Sequence, residues 1–402
     1  MQTQTKLMPV HCRVRFTFHN IGQGLFYSGN IENFNIIYDC GSRRKTHANK
    51  VVSNYKKNDL SRNKLNLLII SHFHDDHTSG LYSLLIRKPK LSVDLAIIPY
   101  LSPIERLIIS LSRNDMGNWY YKFLANPMKF LLDNGVKKVM VLNTGEPPPP
   151  ENPTEQRPPN EERPDDDYWD ENQAFSVKAK ILPDSHLQKK LEREETKLKE
   201  FLDNKRLVAK QNNGLIQLNA HSLNWLFRFY NCKIENEQGL KTFEDCIKPI
   251  VKNEHPAEII SNTSKRRELR KCYKSLHTDL NNTSILLYHR PFLINYNDAV
   301  SHDNEAHLLT GDINLKQKTN EICTHFGNDL SKVAACLIPH HGSEKSWDKT
   351  FLNNLPPQCV WVVSSGIGST KHPSFKVFND ITSTGHGFFF CHEAMNMVFS
   401  NY

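Results

Sequence analysis

His72, His74, Asp76 and His77 fall within six consecutive residues, in the order His-x-His-x-Asp-His, directly after the aliphatic run LNLLII. Ionisable side chains gathered beside a core strand are costly to bury unless something pairs with them. The loop leaves a strand end, where several imidazoles and a carboxylate can converge on one point. Mixed nitrogen and oxygen donors suit zinc, with manganese or iron as competitors. The plainer reading is a polar loop that happens to be rich in histidine.

The elements around the motif predict how it is held. RVRFTF alternates with the period of a strand that has one buried face, NIGQGLFYSGN supplies turn glycines, and FNIIYDCG reads as the returning strand. LNLLIIS, VDLAIIP and KKVMVL are short aliphatic runs separated by helical stretches, and the rhythm returns in TSILLYHR, AHLLTGD, AACLIPH, VWVVSS and GFFFCH. Such alternation predicts sheet strands covered by helices. Two sheet-building halves, 12–145 and 281–402, are expected to flank a central stretch.

That central stretch differs in composition. Residues 146–171 hold eight prolines, ten acidic residues and two arginines, too polar to build a core. Residues 146–175 are therefore expected to be an acidic, proline-rich disordered loop, and 176–280 an insertion with charged helices. In PDSHLQKKLEREETKLKEFLDNKRLVAK, Asp184 is a plausible N-cap and Leu187, Leu191, Leu198 and Leu202 form one apolar stripe, as on a packed surface helix.

The chain of 402 residues carries a formal charge of +8 and a pI near 8.9, and the remainder stands near +16 once the acidic segment is set aside. That balance favours a polyanionic partner. One run concentrates it: Lys265, Arg266, Arg267, Arg270, Lys271 and Lys274 cover much of a helix surface, either as a solvated face or as a phosphate-binding surface for nucleic acid. Nine cysteines without a CxxC pair are expected to be reduced thiols filling the core of a cytoplasmic protein. No apolar run approaches the roughly 18 residues of a membrane span, so no membrane partner is expected. The insertion offers a surface for a protein partner.

The motif in its strand context resembles the metallo-β-lactamase-fold hydrolase superfamily. HLLTGD at 307–312, LIPHHGSEKSW at 337–347 and SSGIGSTKHPS at 364–374, with NIGQG and YDCG near the start, resemble the branch containing the soluble domain of competence-type DNA-uptake proteins. The resemblance implies an αββα four-layer sandwich, here with a long central insertion, and a site for two divalent transition metals, zinc or manganese. His72 and His74 would hold one metal, Asp76 and His77 the other, and Asp312 would bridge them, so that a water is activated between the two. His340 is the expected further ligand, with His341 a ligand or its neighbour. Asp39 would support the loop by hydrogen bonding. Asp76, His341 and His372 are the expected catalytic groups, His372 by contacting a phosphate oxygen or protonating a leaving group. Ser343 and Ser369 would donate to substrate or cap helices. Two positions depart from the family pattern: IIPYLSPIER offers Tyr100 and no histidine for the first metal, and Leu25 follows GQG where the branch has an acidic residue.

These features together predict a metal-dependent phosphodiesterase, a DNA or RNA nuclease of endonuclease type, in a bacterial setting such as phage defence or DNA processing. A small-molecule hydrolase acting on a phosphocholine ester, cyclic nucleotide or lactone would share every ligand without needing the basic helix. A partner-binding scaffold would tolerate loss of ligands.

Overall fold

A computed structural model describes residues 14–60, 64–113, 116–144, 167–169, 175–194, 198–220, 224–232, 237–251, 254–274, 284–292 and 305–400. The first half contributes β1 (Val14–Phe18), β2 (Gly24–Ile31), β3 (Phe34–Ser42), β4 (Lys64–Ile69), β5 (Ser92–Pro99) and β6 (Val136–Leu142). The centre adds β7 (Asp167–Trp169), β8 (Phe175–Pro183), β9 (Leu207–Ala220) and β10 (Asn224–Asn231). The last part supplies β11 (Ile285–Phe292), β12 (Ala306–Leu309), β13 (Val333–Leu337), β14 (Val360–Ser364), β15 (Gly387–Cys391) and β16 (Met397–Ser400).

All sixteen strands belong to one sheet. Its order is β15-β14-β13-β12-β11-β10-β9-β6-β5-β4-β3-β2-β1-β16, with β7 and β8 branching from β9. The fold is mixed α/β as expected, but the strands form a single barrel-like sheet and not two separate ones. Its halves are joined by the stretch read as an insertion. β9 runs parallel to β6, with Val139 opposite Leu207, and β10 pairs antiparallel with β11, with Asn231 opposite Ile285. The stretch thus carries strands of the sheet as well as helices. Leu187, Leu191, Leu198 and Leu202 are buried and Asp184 Oδ1 accepts from Leu187 N at 2.8 Å, but the stripe is split between two helices, Ser185–Glu194 and Lys199–Asp203, with Leu198 at the N-cap of the second. Leu207, however, opens a strand, where Ile216 and Leu218 are buried two apart.

Of the proline-rich segment, Asp167–Trp169 pair with Val177–Ala179 as a short strand, contrary to an unbroken disordered loop; residues 145–166 and 170–174 lie outside the described residues. The thiols also need correction, since Cys246 and Cys272 form a disulfide between helices 237–251 and 263–274. No helix among the described residues is long and apolar enough to cross a membrane.

The period of two divides the central strands between two cores, as β4 shows. Leu68 of β4 and Ile70 just past its end pack with the helices of the first half, whereas Leu67 and Ile69 join a cluster shared with Phe227, Leu287, Leu309 and Val362 of the later strands. A third cluster, with Leu286, Tyr288, Trp361 and Ile381, packs the helices of the last part. The central helices extend the first core, through Phe243, Ile247, Ile259, Ile260 and Leu269.

Inside the shared cluster lies a directional hydrogen-bond chain. Trp225 can only donate, so His289 Nδ1 accepts at 3.2 Å; His289 Nε2 then donates to the Tyr27 hydroxyl at 2.8 Å, which donates to His307 Nδ1 at 2.7 Å. Burial drives His289 far below its ordinary pKa, helped by His307, and pulls His307 down to about 3. Both rings are neutral when folded, but each gains a proton near pH 6.5 when unfolded. Their contribution to stability is therefore present above pH 6.5 and declines as pH falls towards 3, by about 1.4 kcal/mol per pH unit for each ring. Denaturant titrations between pH 7 and 4 should show His307→Gln losing stability less steeply than the parent chain, by about one ring's share.

Candidate metal centre

The candidate residues stand beyond the C-terminal ends of four strands. His72, His74, Asp76 and His77 follow β4, Asp312 follows β12, His340 and His341 follow β13, and His372 follows β14. Asp39 lies within β3. Close approach makes the loops meet: a Cβ on Gly41 would lie 2.4 Å from the His77 carbonyl carbon, and one on Gly311, at φ +55°, would lie 2.9 Å from Ser284 Cβ. Asp39, His340 and His341 also adopt positive φ, so the backbone is turned sharply just where these side chains leave it.

Five buried groups converge. His77 Nε2 is 3.1 Å from Asp312 Oδ1, aligned too poorly for a hydrogen bond, and His72 Nε2 is 3.9 Å from Asp312 Oδ2. His341 Nε2 stands 3.5 Å from Asp76 Oδ2 and 3.7 Å from Asp312 Oδ2. Donor atoms of Asp76, His77 and His341 lie within 4.8 Å of one another, as do those of Asp39, His72 and His77.

The far side of each ring fixes its tautomer. His341 Nδ1 is 2.9 Å from the Ser364 carbonyl, which only accepts, so Nδ1 carries the proton. His77 Nδ1 donates to Asp39 Oδ2 at 2.7 Å. Ser71 Oγ gives its proton to Asp39 Oδ2 at 2.5 Å and therefore accepts from His72 Nδ1 at 2.9 Å. In their neutral forms all three rings thus turn a lone pair inward. Their Nε2 atoms are buried without a hydrogen bond, the condition in which a divalent cation fits.

Electrostatics agree. Burial opposes charge on His77, but Asp312 and Asp39 outweigh it and hold this histidine well above its ordinary pKa. Burial likewise opposes charge on Asp312, which the His77, His341 and His340 charges keep well below the carboxylate range. Asp76 is held low against burial by His341 and His77. A proton on His77 and a cation compete for the same inward position.

The remaining expected residues are placed as follows. His340 is half-buried, 2.9 Å from Ser346 Oγ through Nδ1, and its ring stacks at 6.1 Å on His372 instead of joining Asp76 and His77. It is His341 whose donor atom lies with those of Asp76 and His77. His74 is half-buried, with its ring 5.1 Å from His72, and belongs to neither donor group. Burial, then His341, His340 and Arg43, lower the His372 pKa to about 4, leaving it neutral near pH 7. Ser369 Oγ accepts from His372 N at 3.0 Å, and Ser343 is buried. Tyr100 turns away, donating to Glu194 Oε2 at 2.6 Å, and Leu25 is core.

The basic helix, Thr263–Lys274, is not the continuous cationic face expected from its sequence. Arg266 is buried, with its guanidinium 3.5 Å from the centre of the Tyr121 ring, and it bonds to the Ile260 carbonyl and Thr263. Lys265 pairs with Glu254. Arg267 and Lys271 are exposed, Arg270 is half-buried, and the Lys274 side chain lies outside the described residues.

Sequence reasoning overlooks several supports. Ser284 Oγ accepts from Asp312 N at 3.1 Å, and the Arg43 side chain, 55% exposed, sits 3.2 Å from Asp76 Oδ2. Tyr120 donates to the Phe73 carbonyl at 2.9 Å, and Arg113 pairs with Asp75 at 3.1 Å, bracing the histidine loop from the helical side. A buried serine opening an aliphatic run, as in TSILLYHR, is the signal that could have exposed Ser284.

No family model matches the chain, and no curated protein matches it. Among solved structures the chain is similar to a long-form RNase Z from yeast, at 9% identity and a TM-score of 0.31, over 81% of this chain and 32% of that one. The matched region is thus about a third of the yeast chain. It is also similar to the short form of human tRNase Z, at 14% identity and 0.24, over 65% and 89% of the two chains. For the FEZ-1 metallo-β-lactamase of Legionella gormanii the values are 12% and 0.20, over 52% and 61%. Likenesses this distant carry no argument about activity, which has to rest on the residues themselves.

Because Asp39 sets the His77 tautomer and holds Ser71, Asp39→Asn should weaken divalent-metal affinity by about 10–100-fold. Competition against a chromogenic chelator measures that loss directly.

Proposed function

We propose that the chain is a metal-dependent hydrolase of phosphodiester bonds of the competence-type branch, its one continuous sheet folded over to serve as both inner layers of an αββα sandwich, with DNA or RNA as its substrate and internal cleavage as its mode. The observation that carries this reading is the convergence of three inward, unbonded Nε2 atoms, on His72, His77 and His341, with the Asp76 and Asp312 carboxylates. Asp76, His77 and His341 would hold one cation; His72 and His74 would hold a second, with Asp312 shared. Two divalent cations, zinc or manganese, supply Lewis acidity towards a phosphoryl oxygen and lower the pKa of water.

The chain's own groups do the rest. Asp39, Ser71 and the Ser364 carbonyl keep the three imidazoles in one tautomer and orientation. Arg43, exposed and reaching Asp76, offers a guanidinium to a non-bridging phosphate oxygen. Neutral His372, beside His340, can donate one hydrogen bond to the substrate. With Arg266 buried against Tyr121 and Lys265 paired with Glu254, Arg267 and Lys271 are the exposed cations of this helix that can meet a polyanion.

That loss of free cations favours a second reading, a hydrolase of small phosphodiesters that uses the same ligands. A partner-binding scaffold is disfavoured, because unbonded imidazoles and carboxylates buried together without a cation would only destabilise it.

Protein loaded with manganese or zinc should cut plasmid, single-stranded DNA or RNA as well as a chromogenic diester. Turnover of the diester alone would select the small-molecule reading. Asp312→Ala should lower both activities about a thousandfold, and full activity in that variant would sink the two-metal assignment.

A further inference from the structure

The rim of the metal centre carries an aromatic surface that the ligand set does not explain. Phe375 is 78% exposed and Phe378 39%, with ring centroids 6.2 Å apart. Phe378 meets Phe388 edge-on at 5.1 Å, which backs the pair against the third core. Both rings lie on helix Phe375–Thr382, whose first turn is capped by the Ser374 side chain. The helix start is tied to the site on two sides. Ser374 N donates to the Gly342 carbonyl at 2.9 Å, next to His341, and Ser365 Oγ donates to the His372 carbonyl at 2.9 Å.

We propose that Phe375 and Phe378 are a stacking platform for the bases of a single-stranded nucleic acid whose backbone enters the metal centre. This rests on the nuclease reading and narrows its substrate class. Charge complementarity selects the occupant: Lys371, exposed and next to His372, is a cation beside the site, and the Arg43 side chain, half exposed although 3.2 Å from Asp76 Oδ2, adds a second positive group that reaches into it. An apolar ring next to cations and a phosphodiester centre matches a strand that has both base faces and phosphates. A duplex hides its base faces in the stack, so the platform discriminates in favour of single strands, and stacking is tolerant of sequence because every base has a π-face.

Binding is measured by fluorescence anisotropy with a short labelled single-stranded oligonucleotide in chelator, so that no strand is cut. Phe375→Ala, a change at an exposed ring, should weaken binding about tenfold, whereas Phe375→Trp should retain it. A matching abasic strand should bind the parent chain and Phe375→Ala alike. Unchanged affinity in Phe375→Ala, or equal weakening for the abasic strand, would overturn the platform. So would sedimentation showing the parent chain dimeric and the variant monomeric, which would assign the rings to a second copy. Failure of the nuclease reading looks different: the parent chain would bind no nucleic acid at all while still hydrolysing the chromogenic diester.

Discussion

The structure turns on a charge constraint, the burial of His72, His77 and His341 against Asp76 and Asp312 at the ends of strands that are far apart in sequence. The histidine Nε2 atoms face inward without a hydrogen bond, and the rings hold that orientation because each Nδ1 has a fixed partner on its outer side. Asp39 is the hub of those partners. It accepts from Ser71 N, Ser71 Oγ and His77 Nδ1, at 2.7, 2.5 and 2.7 Å. The tight approach at Gly41 and the left-handed backbone at Asp39 accompany the meeting of this hub with the histidine loop. Sheet and helices act as the frame that keeps these contacts short.

The two sides of that frame are stitched through different chemistry. Within the shared core the stitch is polar but closed, from Trp225 through His289 and Tyr27 to His307, linking β10, β11, β2 and β12. On the helical side it is the Tyr120 contact to Phe73 and the Arg113 pair with Asp75, which reach the histidine loop from residues that coordinate nothing. A neighbouring ring, Tyr121, holds Arg266, so the basic helix is fastened to the same layer.

Much of this is legible in the residues because it obeys local rules. The histidine loop, the aliphatic strands and the leucine stripe behind Asp184 each announce themselves by spacing, and the structure places them accordingly. What is not legible depends on partners distant in sequence. β9 alternates only weakly, with Gln211, Asn212 and Asn213 breaking its apolar pattern, so its strand character comes from pairing with β6, β8 and β10. The choice of His341 over His340 is a matter of two successive positive φ angles. Arg266 looks like a surface cation until Tyr121, from another helix, covers it. Cys246 and Cys272 carry no motif, and only the packing of two helices brings their Cα atoms to 5.8 Å.

β1 lies between β2 and β16, with Arg15 opposite Ser400 and Phe18 opposite Met397. During synthesis, then, β1 acquires one neighbour within moments and must wait for the other until Met397–Ser400 have left the ribosome, a delay on the order of tens of seconds at ordinary elongation rates. For that interval Phe16 and Phe18 border an open edge, the kind of edge on which nascent chains pair wrongly. Arg15, charged and exposed one residue before Phe16, is the residue placed to blunt it.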